Sequence, residues 1–288
     1  MKTKSKNILI TGVSTGIGYD LAKVFLSSGY KVYGSVRKQE DADRLASELK
    51  ESFQAVIFDV TDFSEVDKAA KRLEAEIGEE GLAGLVNNAG IAVAGPFIDL
   101  SIEDFKHQFD VNVFGMIKVT QSFLPLLGAR PDHSSLPGKI VQISSVSGRM
   151  GMPFVSAYVG SKYALEGISE SMRKELLLYG IDVVLIEPGP IKTPIWRKSM
   201  DPLLEKFKGS DYSQIMKKSN EKFMGPAIEN ALSSERAVKL ILKEFEKPRS
   251  RSRVVIVAQK FKNWTLPMIL PTRILDRIIG KALGLSKK

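Results

Sequence analysis

Hydrophobic residues along this chain form short runs that alternate with longer amphipathic stretches. The runs are rich in valine and isoleucine, and several show no alternation of polar and apolar positions. They lie at Asn7–Thr11, Lys31–Val36, Ala55–Val60, Gly84–Asn87, Lys139–Ser144, Asp182–Glu187 and Arg253–Ala258. Continuous apolar runs of this kind are typical of strands buried on both faces of a parallel sheet. We therefore predict a strand at each of these positions.

The amphipathic stretches between the runs have the spacing of helices. They lie near residues 17–28, 40–51, 62–77, 101–127, 156–179 and 233–247. Alternation of strand and helix predicts the α/β class, with a seven-stranded, mainly parallel, doubly wound sheet and helices on both faces. We see no internal repeat, and we predict one domain over residues 1–260.

Residues 190–232 break this alternation, because they separate the sixth strand from the next helix. Their apolar side chains, which stand among lysines, are Trp196, Met200, Leu203, Leu204, Phe207, Met216, Phe223 and Met224. Ligands of open α/β sheets bind beyond the carboxyl ends of the strands, so the segment could be a small helical lid over an apolar pocket. The alternative is a helical pair that packs on the domain or on a partner subunit, and both can hold.

Residues 261–288 are a second departure, which we predict to be a basic amphipathic C-terminal extension. Ile274, Leu275, Ile278 and Ile279 recur with the spacing of one helix face, and lysines and arginines stand among them. Docking of this segment on the protein body or on a neighbouring subunit is the interpretation we favour. Peripheral membrane contact is the alternative, because a basic helix with tryptophan and leucine also suits a membrane surface.

Composition excludes several kinds of chemistry. The chain of 288 residues has no cysteine, and its two histidines, His107 and His133, are far apart. Thiolate metal sites and cysteine nucleophiles are therefore excluded, a histidine-rich metal site and a Ser-His pair are disfavoured, and we predict no metal. No stretch approaches the roughly 20 apolar residues that cross a bilayer, and the apolar run after the basic N-terminus is too short for a signal peptide. We predict a cytoplasmic protein.

The net charge of +9 is concentrated near the C-terminus. From Arg236 onward, 14 lysines and arginines stand against three acids, whereas the preceding part has 28 against 30. Nucleic acid, an anionic membrane and simple solvation can all account for such a basic segment. Because aromatic residues are few there and lie within an apolar stripe, we predict no nucleic-acid partner.

A glycine-rich turn follows the first predicted strand, in the sequence Thr11-Gly12-Val13-Ser14-Thr15-Gly16-Ile17-Gly18. Glycines allow a tight turn and a close approach of backbone N–H groups to phosphate, and the following helix directs its positive end toward the same anion. An ordinary strand–helix turn is the alternative for such a stretch alone. Its place after the first strand of a βαβ pattern favours dinucleotide binding.

The end of the second predicted strand bears on the choice of cofactor. NAD sites commonly place an acid there, whereas an arginine accommodates the 2′-phosphate of NADP. Here Arg37 follows Val36 and no acid stands at the strand end. We therefore prefer NADP(H), while Glu40 and Asp41 keep NAD(H) open and a solvated loop charge is the other interpretation of Arg37.

Tyr158 and Lys162 lie four residues apart, and Ser145 lies thirteen residues before the tyrosine. On a helix this spacing puts both side chains on one face. A lysine beside a phenol favours the phenolate, which can then exchange a proton with an alcohol or ketone near neutral pH. Taken alone, the pair could equally be a surface tyrosine beside a solvated lysine.

These motifs together resemble the short-chain dehydrogenase/reductase family over roughly residues 7–195. Besides the glycine turn, Asp59, Asn87-Asn88-Ala89-Gly90, Asn112, Ser145, Tyr158, Lys162 and Pro188-Gly189 occur in the family's order and spacing. The stretches Gly148–Pro153, Ser161–Gly167 and Glu187–Pro194 are similar to the hydroxysteroid and retinol dehydrogenase branch. The resemblance implies a Rossmann-type domain and an oxidoreductase.

The resemblance also implies the site residues. The catalytic set would be Asn112, Ser145, Tyr158 and Lys162, with Ser145 rather than Ser144 selected by its distance from the tyrosine. The cofactor would contact Gly12, Ser14, Thr15, Gly16, Ile17, Gly18, Arg37, Asp59, Val60, Asn88, Ala89, Gly90, Tyr158, Lys162, Pro188, Gly189, Ile191 and Thr193.

The implied reaction is hydride transfer between NADP(H) and a carbonyl or alcohol group of a small hydrophobic substrate, such as a steroid, a retinoid or another bulky ketone. Tyr158 would be the general acid or base. The enzymatic alternative is a β-ketoacyl-thioester reductase, and the non-enzymatic one is a nicotinamide-nucleotide sensor or scaffold. Family members are commonly homodimers or homotetramers, which we expect here through helices such as 101–127 and 156–179.

Overall fold

A computed structural model of the chain describes residues 5–130, 135–192, 203, 205–221 and 225–285. The strands are β1 Asn7–Ile10, β2 Lys31–Val36, β3 Phe53–Ile57, β4 Gly84–Asn87, β5 Lys139–Ile143, β6 Asp182–Pro188, β7 Ile191–Lys192, β8 Leu232–Ser233 and β9 Arg253–Ile256. Seven of them form one sheet in the order β3-β2-β1-β4-β5-β6-β9, and every pairing is parallel. The predicted α/β class and sheet are confirmed.

Helices cover both faces of this sheet. They are α1 Gly16–Ser27, α2 Gln39–Leu49, α3 Phe63–Ile77, α4 Ile102–Phe109, α5 Met116–Phe123, α6 Ser156–Glu175, α7 Ser213–Ser219, α8 Gly225–Glu229, α9 Ser234–Phe245, α10 Leu266–Ile269 and α11 Thr272–Leu283. Single 3₁₀ turns occupy Gly78–Glu80, Leu124–Leu127, Val146–Gly148 and Leu176–Tyr179, and π-helical segments occupy Asp110–Gly115 and Phe261–Thr265.

The central strand β1 contributes to two separate hydrophobic cores. Ile8 and Ile10 point to the face covered by α1, α2 and α9, where Phe25 stacks edge-on against Phe245 at 5.1 Å between ring centroids. Leu9 points to the opposite face, which α3 and α5 cover. Successive side chains of a strand alternate between faces, so a strand covered on both sides must be apolar throughout. This explains the continuous apolar runs of the sequence.

The sheet reverses its direction of growth between β1 and β4. From β1 the chain proceeds outward through β2 and β3, and from β4 it proceeds the other way through β5, β6 and β9. A crevice opens at the carboxyl ends of the strands at such a reversal, because the connections on either side lead away from each other. The glycine-rich turn after β1 and residues 88–90 after β4 both lie at this point.

Two predicted elements differ most from their predicted bounds, whereas the other elements differ by at most one or two residues at an end, if the 3₁₀ turn that follows α6 is counted with that helix. The third strand spans Phe53–Ile57 and not Ala55–Val60, because it pairs with β2 from Val32 to Val36 and the chain then turns away. The single helix predicted over 101–127 is α4, the π-helical segment, α5 and a 3₁₀ turn. The π segment inserts an extra residue into the helical turn, and it contains Asn112.

The segment after β6 packs partly onto the domain. Phe207 and Met216 are buried against Leu100 and Ala157, and Leu203 and Tyr212 lie at the edge of the same cluster. Ala157, a member of this cluster, directly precedes Tyr158 in the sequence. Trp196, Met200, Leu204, Phe223 and Met224 lie outside the described residues.

The C-terminal segment consists of short helices, and α11 lies against α7. Leu283 is buried and Leu275 and Ile279 are half-buried, whereas Ile274 and Ile278 are exposed. Among the described residues, no helix is both long enough and apolar enough to pass through a bilayer.

Candidate active site

The glycine-rich turn leaves the carboxyl end of β1 in a conformation that side chains would obstruct. Gly12 and Gly16 have φ values of +70° and +63°, which favour glycine. A Cβ on Gly18 would lie 2.2 Å from the carbonyl oxygen of Gly12. The chain can therefore fold this tightly only with glycine at these positions.

A hydroxyl group joins this turn to the loop after β4. The Thr11 hydroxyl accepts hydrogen bonds from the backbone N–H groups of Asn88 and Ala89, both at 2.9 Å. The side-chain Nδ2 of Asn88 donates to the backbone carbonyls of Thr11 and Gly12 at 2.9 and 3.1 Å. Asn88 thus braces the glycine turn, and Thr11 is a site residue that motif reasoning missed. Its only sequence signal is a hydroxyl residue directly before the first glycine.

The start of α1 fits a phosphate group. Thr15 is the N-cap of the helix, and in the described part of the chain its side chain caps none of the N–H groups of the first turn. These groups and the positive end of the helix dipole are therefore available to an anion, and the glycines let it approach. Ser14, Thr15, Ile17 and Gly18 all lie in this turn, as the sequence predicts. The residues present thus fit a dinucleotide pyrophosphate.

The predicted adenine end lies beside the carboxyl ends of β2 and β3. Arg37 is exposed, and its Nη1 lies 3.7 Å from Oδ2 of Asp59. Burial raises the pKa of Asp59, but hydrogen bonds from Thr61 and the charge of Arg37 outweigh this effect and hold the pKa below its usual value. Val60 is buried, and a Cβ on Gly115 would lie 2.8 Å from its Cγ2.

Arg44 is a second cation at this end that the motifs did not indicate. Its Nη2 donates to the Ser14 carbonyl of the glycine turn at 2.9 Å and to Asp41 at 2.9 Å. It therefore ties α2 to the phosphate-binding turn. Asp41 is one of the two acids for which the sequence left NAD(H) open as a cofactor. Its carboxylate accepts this hydrogen bond from Arg44.

The predicted catalytic residues come together at the carboxyl edge of β5. Ser145 lies two residues beyond the strand. Its Oγ accepts a hydrogen bond from the Ser147 N–H at 3.0 Å and donates one to the Pro188 carbonyl oxygen at 3.4 Å. Ser145 is also close enough to Tyr158, which lies on α6, to lower the pKa of its phenol. Lys162, one turn further along α6, places its Nζ 5.7 Å from the centroid of the Tyr158 ring. Ser144 is buried, and its hydroxyl has no hydrogen-bond partner among the described residues.

Asn112 organises the loop between β4 and α4. Its Oδ1 accepts from the Ile91 N–H at 2.9 Å, and its Nδ2 donates to the Ile91 carbonyl at 3.0 Å and to the Ser161 hydroxyl at 3.2 Å. Ser161 in turn donates to the Tyr158 carbonyl at 2.7 Å. The asparagine therefore links the loop that holds Gly90 to the helix that carries the tyrosine.

Gln108, one turn before Asn112, clamps the same loop. It is fully buried, accepts from the Val93 N–H at 2.6 Å and donates to the Ile91 carbonyl at 2.9 Å. The spacing of four residues between these two amide side chains is the signal that could have found it.

The pKa of Tyr158 differs from the sequence-based expectation. We expected Lys162 to lower it, but burial raises the pKa of Tyr158 above its usual value, and only the hydrogen bond with Ser145 opposes this. The Lys162 ammonium donates to the Ile143 carbonyl at 2.8 Å instead of the phenol. Burial lowers the pKa of Lys162 to about 8, and the negative charge of Glu166 opposes that shift. Both side chains thus experience a low-dielectric environment.

The segment after β6 closes the other side of the site. Pro188 ends β6, and the Gly189 N–H donates to the Ile256 carbonyl at 2.9 Å, which holds the turn against β9. Ile191 is buried in β7. Thr193 lies outside the described residues.

An apolar cluster flanks the catalytic helix on its open side. Phe154, Tyr212, Phe207 and Met216 belong to it, and the rings of Phe154 and Tyr212 meet edge-on at 5.9 Å. Phe154 has a φ of +68°, which is unfavourable for a bulky residue, and its carbonyl accepts from the Gly95 N–H at 2.7 Å. Strained backbone of this kind is concentrated at functional sites. Phe154 and Tyr212 are only half-buried, so this part of the cluster presents apolar side chains near the start of α6.

Comparison with known proteins agrees with this arrangement. The family model described as short chain dehydrogenase matches residues 6–203. An NADPH-dependent 3-dehydrocapnine reductase from Ornithobacterium rhinotracheale is 38% identical over 96% of this chain and 96% of its own length. Dehydrogenase/reductase SDR family member 9 from Bos taurus is 35% identical over 77% of this chain and 70% of its own. The solved structure of ElxO with NADP bound has a TM-score of 0.70 and 25% identity, and the match covers 91% of this chain and 99% of that one.

This chain belongs to the short-chain dehydrogenase/reductase family. It is an oxidoreductase with a Rossmann-type fold. The predicted family and enzyme class are thereby confirmed, and the predicted preference for NADP(H) agrees with the NADPH-dependent relative and the NADP-bound structure.

Proposed function

We propose that this enzyme uses NADPH to reduce the ketone group of a hydrophobic substrate, with Tyr158 as the proton donor. The observation that carries the proposal is the assembly of Ser145, Tyr158 and Lys162 at one edge of the sheet, beside an uncapped helix start. The nicotinamide cofactor supplies the hydride when it is bound. The chain's own residues bind, orient and supply the proton.

Each polar residue has a distinct task in this proposal. Tyr158 gives its hydroxyl proton to the oxygen of the substrate, and Ser145 donates a hydrogen bond to the same oxygen. Lys162, held in its charged form, stabilises the phenolate that remains and binds ribose hydroxyls. Asn112 fixes the first turn of α6 through Ser161 and supports a water path to the lysine.

The cofactor contacts that we propose follow the edge of the sheet. Gly12, Ser14, Thr15, Gly16, Ile17 and Gly18 would hold the pyrophosphate; Arg37 would meet the 2′-phosphate; and Asp59 and Val60 would line the adenine. Asn88, Ala89, Gly90, Tyr158 and Lys162 would face the ribose, and Pro188, Gly189, Ile191 and Thr193 the nicotinamide end. The uncapped start of α1 and the exposed cation after β2 support this assignment.

The substrate proposal rests on the apolar cluster and on one relative. Phe154 and Tyr212, which are half-buried at the edge of this cluster, offer an apolar surface near Tyr158. The relative that matches over nearly the whole chain is named for 3-dehydrocapnine, and the prefix 3-dehydro denotes a ketone in place of a hydroxyl at carbon 3. We propose that 3-dehydrocapnine or a closely related 3-ketone is the substrate.

Replacement of Tyr158 by phenylalanine tests the proton donor. Tyr158→Phe should lower kcat for reduction of 3-dehydrocapnine at least ~100-fold, while NADPH binding, followed by its fluorescence, should change far less. Tyr163→Phe is the matched control, since Tyr163 lies on the same helix and is exposed. Full activity of Tyr158→Phe would exclude the assignment.

A substrate panel separates the competing functions. Steroid, retinoid and simple ketones, 3-dehydrocapnine and a carrier-linked β-ketoacyl thioester should be offered with NADPH and the loss of nicotinamide absorbance recorded. Turnover of the thioester far above the free ketones would replace our proposal with a β-ketoacyl-thioester reductase. Binding of NADPH without turnover of any compound would favour a sensor or scaffold.

We also propose that the cytoplasmic enzyme, as a homodimer or homotetramer, contacts an anionic membrane surface through residues 261–285. Arg273, Arg277 and Lys281 recur every fourth residue along α11, beside the exposed Ile274 and Ile278. Phe261 and Ile269, earlier in the segment, are also exposed. Basic residues beside exposed apolar ones match an anionic lipid surface in both charge and polarity.

Vesicle sedimentation tests this contact. The protein should sediment with vesicles of anionic lipid and not with neutral ones, and Ile274→Ser with Ile278→Ser should abolish this. Leu177→Ser with Leu178→Ser is the control, because these leucines are exposed elsewhere on the surface. Light scattering shows the subunit number. The face would be assigned to a second copy of the chain if the parent protein did not bind lipid and the isoleucine variant no longer self-associated.

A further inference from the structure

Two buried carboxylates share one arginine directly behind the catalytic residues. Glu166 lies on α6 and Glu187 on β6, and both side chains are almost fully buried. Arg253, on β9, places its Nε 3.0 Å from Oε2 of Glu166 and 3.2 Å from Oε1 of Glu187. Only the contact with Glu166 has hydrogen-bond geometry. One guanidinium nitrogen thus stands between two acids that water does not reach.

Further charged groups of both signs surround this pair. Glu170, one turn further along α6, accepts a hydrogen bond from Nη2 of Arg253. A third acid therefore contacts the same cation. Arg149 lies 3.8 Å from Oε1 of Glu187, and the charge of Lys260 acts from the start of the C-terminal segment.

Several oxygens of the pair lack hydrogen bonds. Within the described residues, neither oxygen of Glu187 and not Oε1 of Glu166 receives one. A buried ionised carboxylate without such donors is strongly disfavoured. Burial and then the charge of Glu166 raise the pKa of Glu187 to about 7, against the opposing charges of Arg149, Arg253 and Lys260. Near neutral pH the pair therefore retains a proton for part of the time.

The pair is in contact with the turn that carries Ser145. A Cβ on Gly148 would lie 2.9 Å from Cγ of Glu166 and 3.2 Å from the Lys162 carbonyl oxygen, so this turn rests on the helix with no space between them. Glu187 directly precedes Pro188, whose carbonyl accepts from Ser145. Glu166 also lies one helical turn from Lys162, and its negative charge raises the pKa of Lys162.

We propose that Glu166 and Glu187, which both contact Arg253, act through their charges as positioning residues that keep Lys162 protonated as the pH rises. When Glu187 loses its proton, the pair gains a negative charge near the buried ammonium. This added charge stabilises the ammonium over the pH range in which burial alone would remove its proton. The inference rests on the proposed role of Lys162 in binding the cofactor and supporting Tyr158.

The test measures NADPH affinity as a function of pH, by fluorescence titration of the full-length protein. In the parent enzyme, affinity should weaken as Lys162 loses its proton at alkaline pH. In Glu166→Gln this loss should begin about one pH unit lower, because the opposing charge is gone. Glu187→Gln should shift it less in the same direction. The alkaline limb of kcat/KM should move with the affinity in each variant.

Glu170→Gln is the matched control, since Glu170 also pairs with Arg253 but lies a further turn from Lys162. Its pH profile should coincide with that of the parent. Equal shifts in Glu166→Gln and Glu170→Gln, or no shift in Glu166→Gln and Glu187→Gln, would overturn the inference. If Glu166→Gln does not fold, an unshifted Glu187→Gln alone decides against it. The titration needs no ketone, so a wrong substrate assignment would leave its result intact.

Discussion

Two buried glutamates of this enzyme, Glu244 at the end of α9 and Glu187 behind the active site, have opposite environments. Glu244 accepts from the Arg251 N–H at 2.7 Å, from Lys247 at 2.7 Å and from the Arg251 guanidinium at 3.0 Å. These bonds outweigh its burial and lower the pKa of Glu244 to about 2. Glu187 lies within ion-pair distance of Arg253 but, among the described residues, receives no hydrogen bond. Its pKa is raised to about 7.

The difference shows which buried charges hold the fold and which do not. Glu244 joins the end of α9 to the loop before β9, so its satisfied charge stabilises the structure. Glu187 lies next to the proposed nicotinamide end and leaves part of its desolvation cost uncompensated. Uncompensated polar groups of this kind are found preferentially at functional sites.

Removal of the shared cation should have the largest effect. Arg253→Met would leave Glu166, Glu170 and Glu187 without their main partner, and we expect a loss of about 3–5 kcal/mol in the free energy of unfolding at pH 7. Urea unfolding gives this value. Arg251→Met is the comparison, and it should cost less because Lys247 and a backbone N–H still serve Glu244. Equal losses would mean that the two regions do not differ.

Glu244→Gln should destabilise the protein by about 2 kcal/mol at pH 7, because several charge-assisted hydrogen bonds are lost. The folded-state pKa is depressed from 4.5 to about 2, so the contribution of Glu244 is fully present above pH 4.5 and declines as the pH falls toward 2. Urea unfolding of parent and variant over this range should show their difference shrinking. A difference that is constant with pH would contradict the assignment.

Glu187→Gln should act in the opposite direction. Its folded-state pKa is raised from 4.5 to about 7, so the folded protein holds a proton that the unfolded chain releases, and stability falls as pH rises through this window. The variant lacks this penalty and should be more stable than the parent by about 1 kcal/mol at pH 8. The gain should shrink toward pH 5, as thermal unfolding at both pH values would show. A variant less stable at pH 8 would instead mean that Glu187 stabilises the fold.

The exposed pair of Arg37 and Asp59 should show the smallest effect on stability. Arg37→Gln is expected to change the free energy of unfolding by roughly 0.5 kcal/mol or less, since exposed ion pairs contribute little. Its preference for NADPH over NADH should fall by roughly tenfold, the equivalent of one lost charge-assisted contact. Lys38→Gln is the control for cofactor preference. An unchanged ratio in Arg37→Gln would move the 2′-phosphate to another cation, with Arg44 the next candidate.

Most of the fold could be predicted from local patterns. Apolar runs such as Val183–Ile186 must be strands covered on both sides, and their alternation with amphipathic stretches leaves few topologies. The bounds of β3 and the π segment around Asn112 could not be predicted. The first depends on pairing with β2, and the second on contacts with Ile91, which is distant in sequence.

The site was predictable to a different degree in its two halves. Motif spacing located Tyr158, Lys162 and Ser145, which the structure brings together, although their roles stay proposals. Thr11 was missed because the glycines of its turn carried the argument, and Gln108 because it belongs to no motif we weighed; only the folded loops show what these two residues bind. The contrast between Glu187 and Glu244 was equally hidden, since the sequence shows neither how deeply each glutamate is buried nor which groups donate hydrogen bonds to it.

The sequence by itself determined the parallel sheet and the glycine-rich turn, which follow from side-chain size and periodicity along adjacent residues. The family was indicated by the resemblance of motifs spread along the chain, and the preference for NADP(H) by Arg37 at the end of the second strand. Only the tertiary structure decided that the pKa of Tyr158 is raised, that Lys162 donates to a backbone carbonyl and that Arg253 lies between two buried acids. Burial and the distances between groups remote in sequence control the charge of an ionisable side chain, and both exist only once the chain has folded.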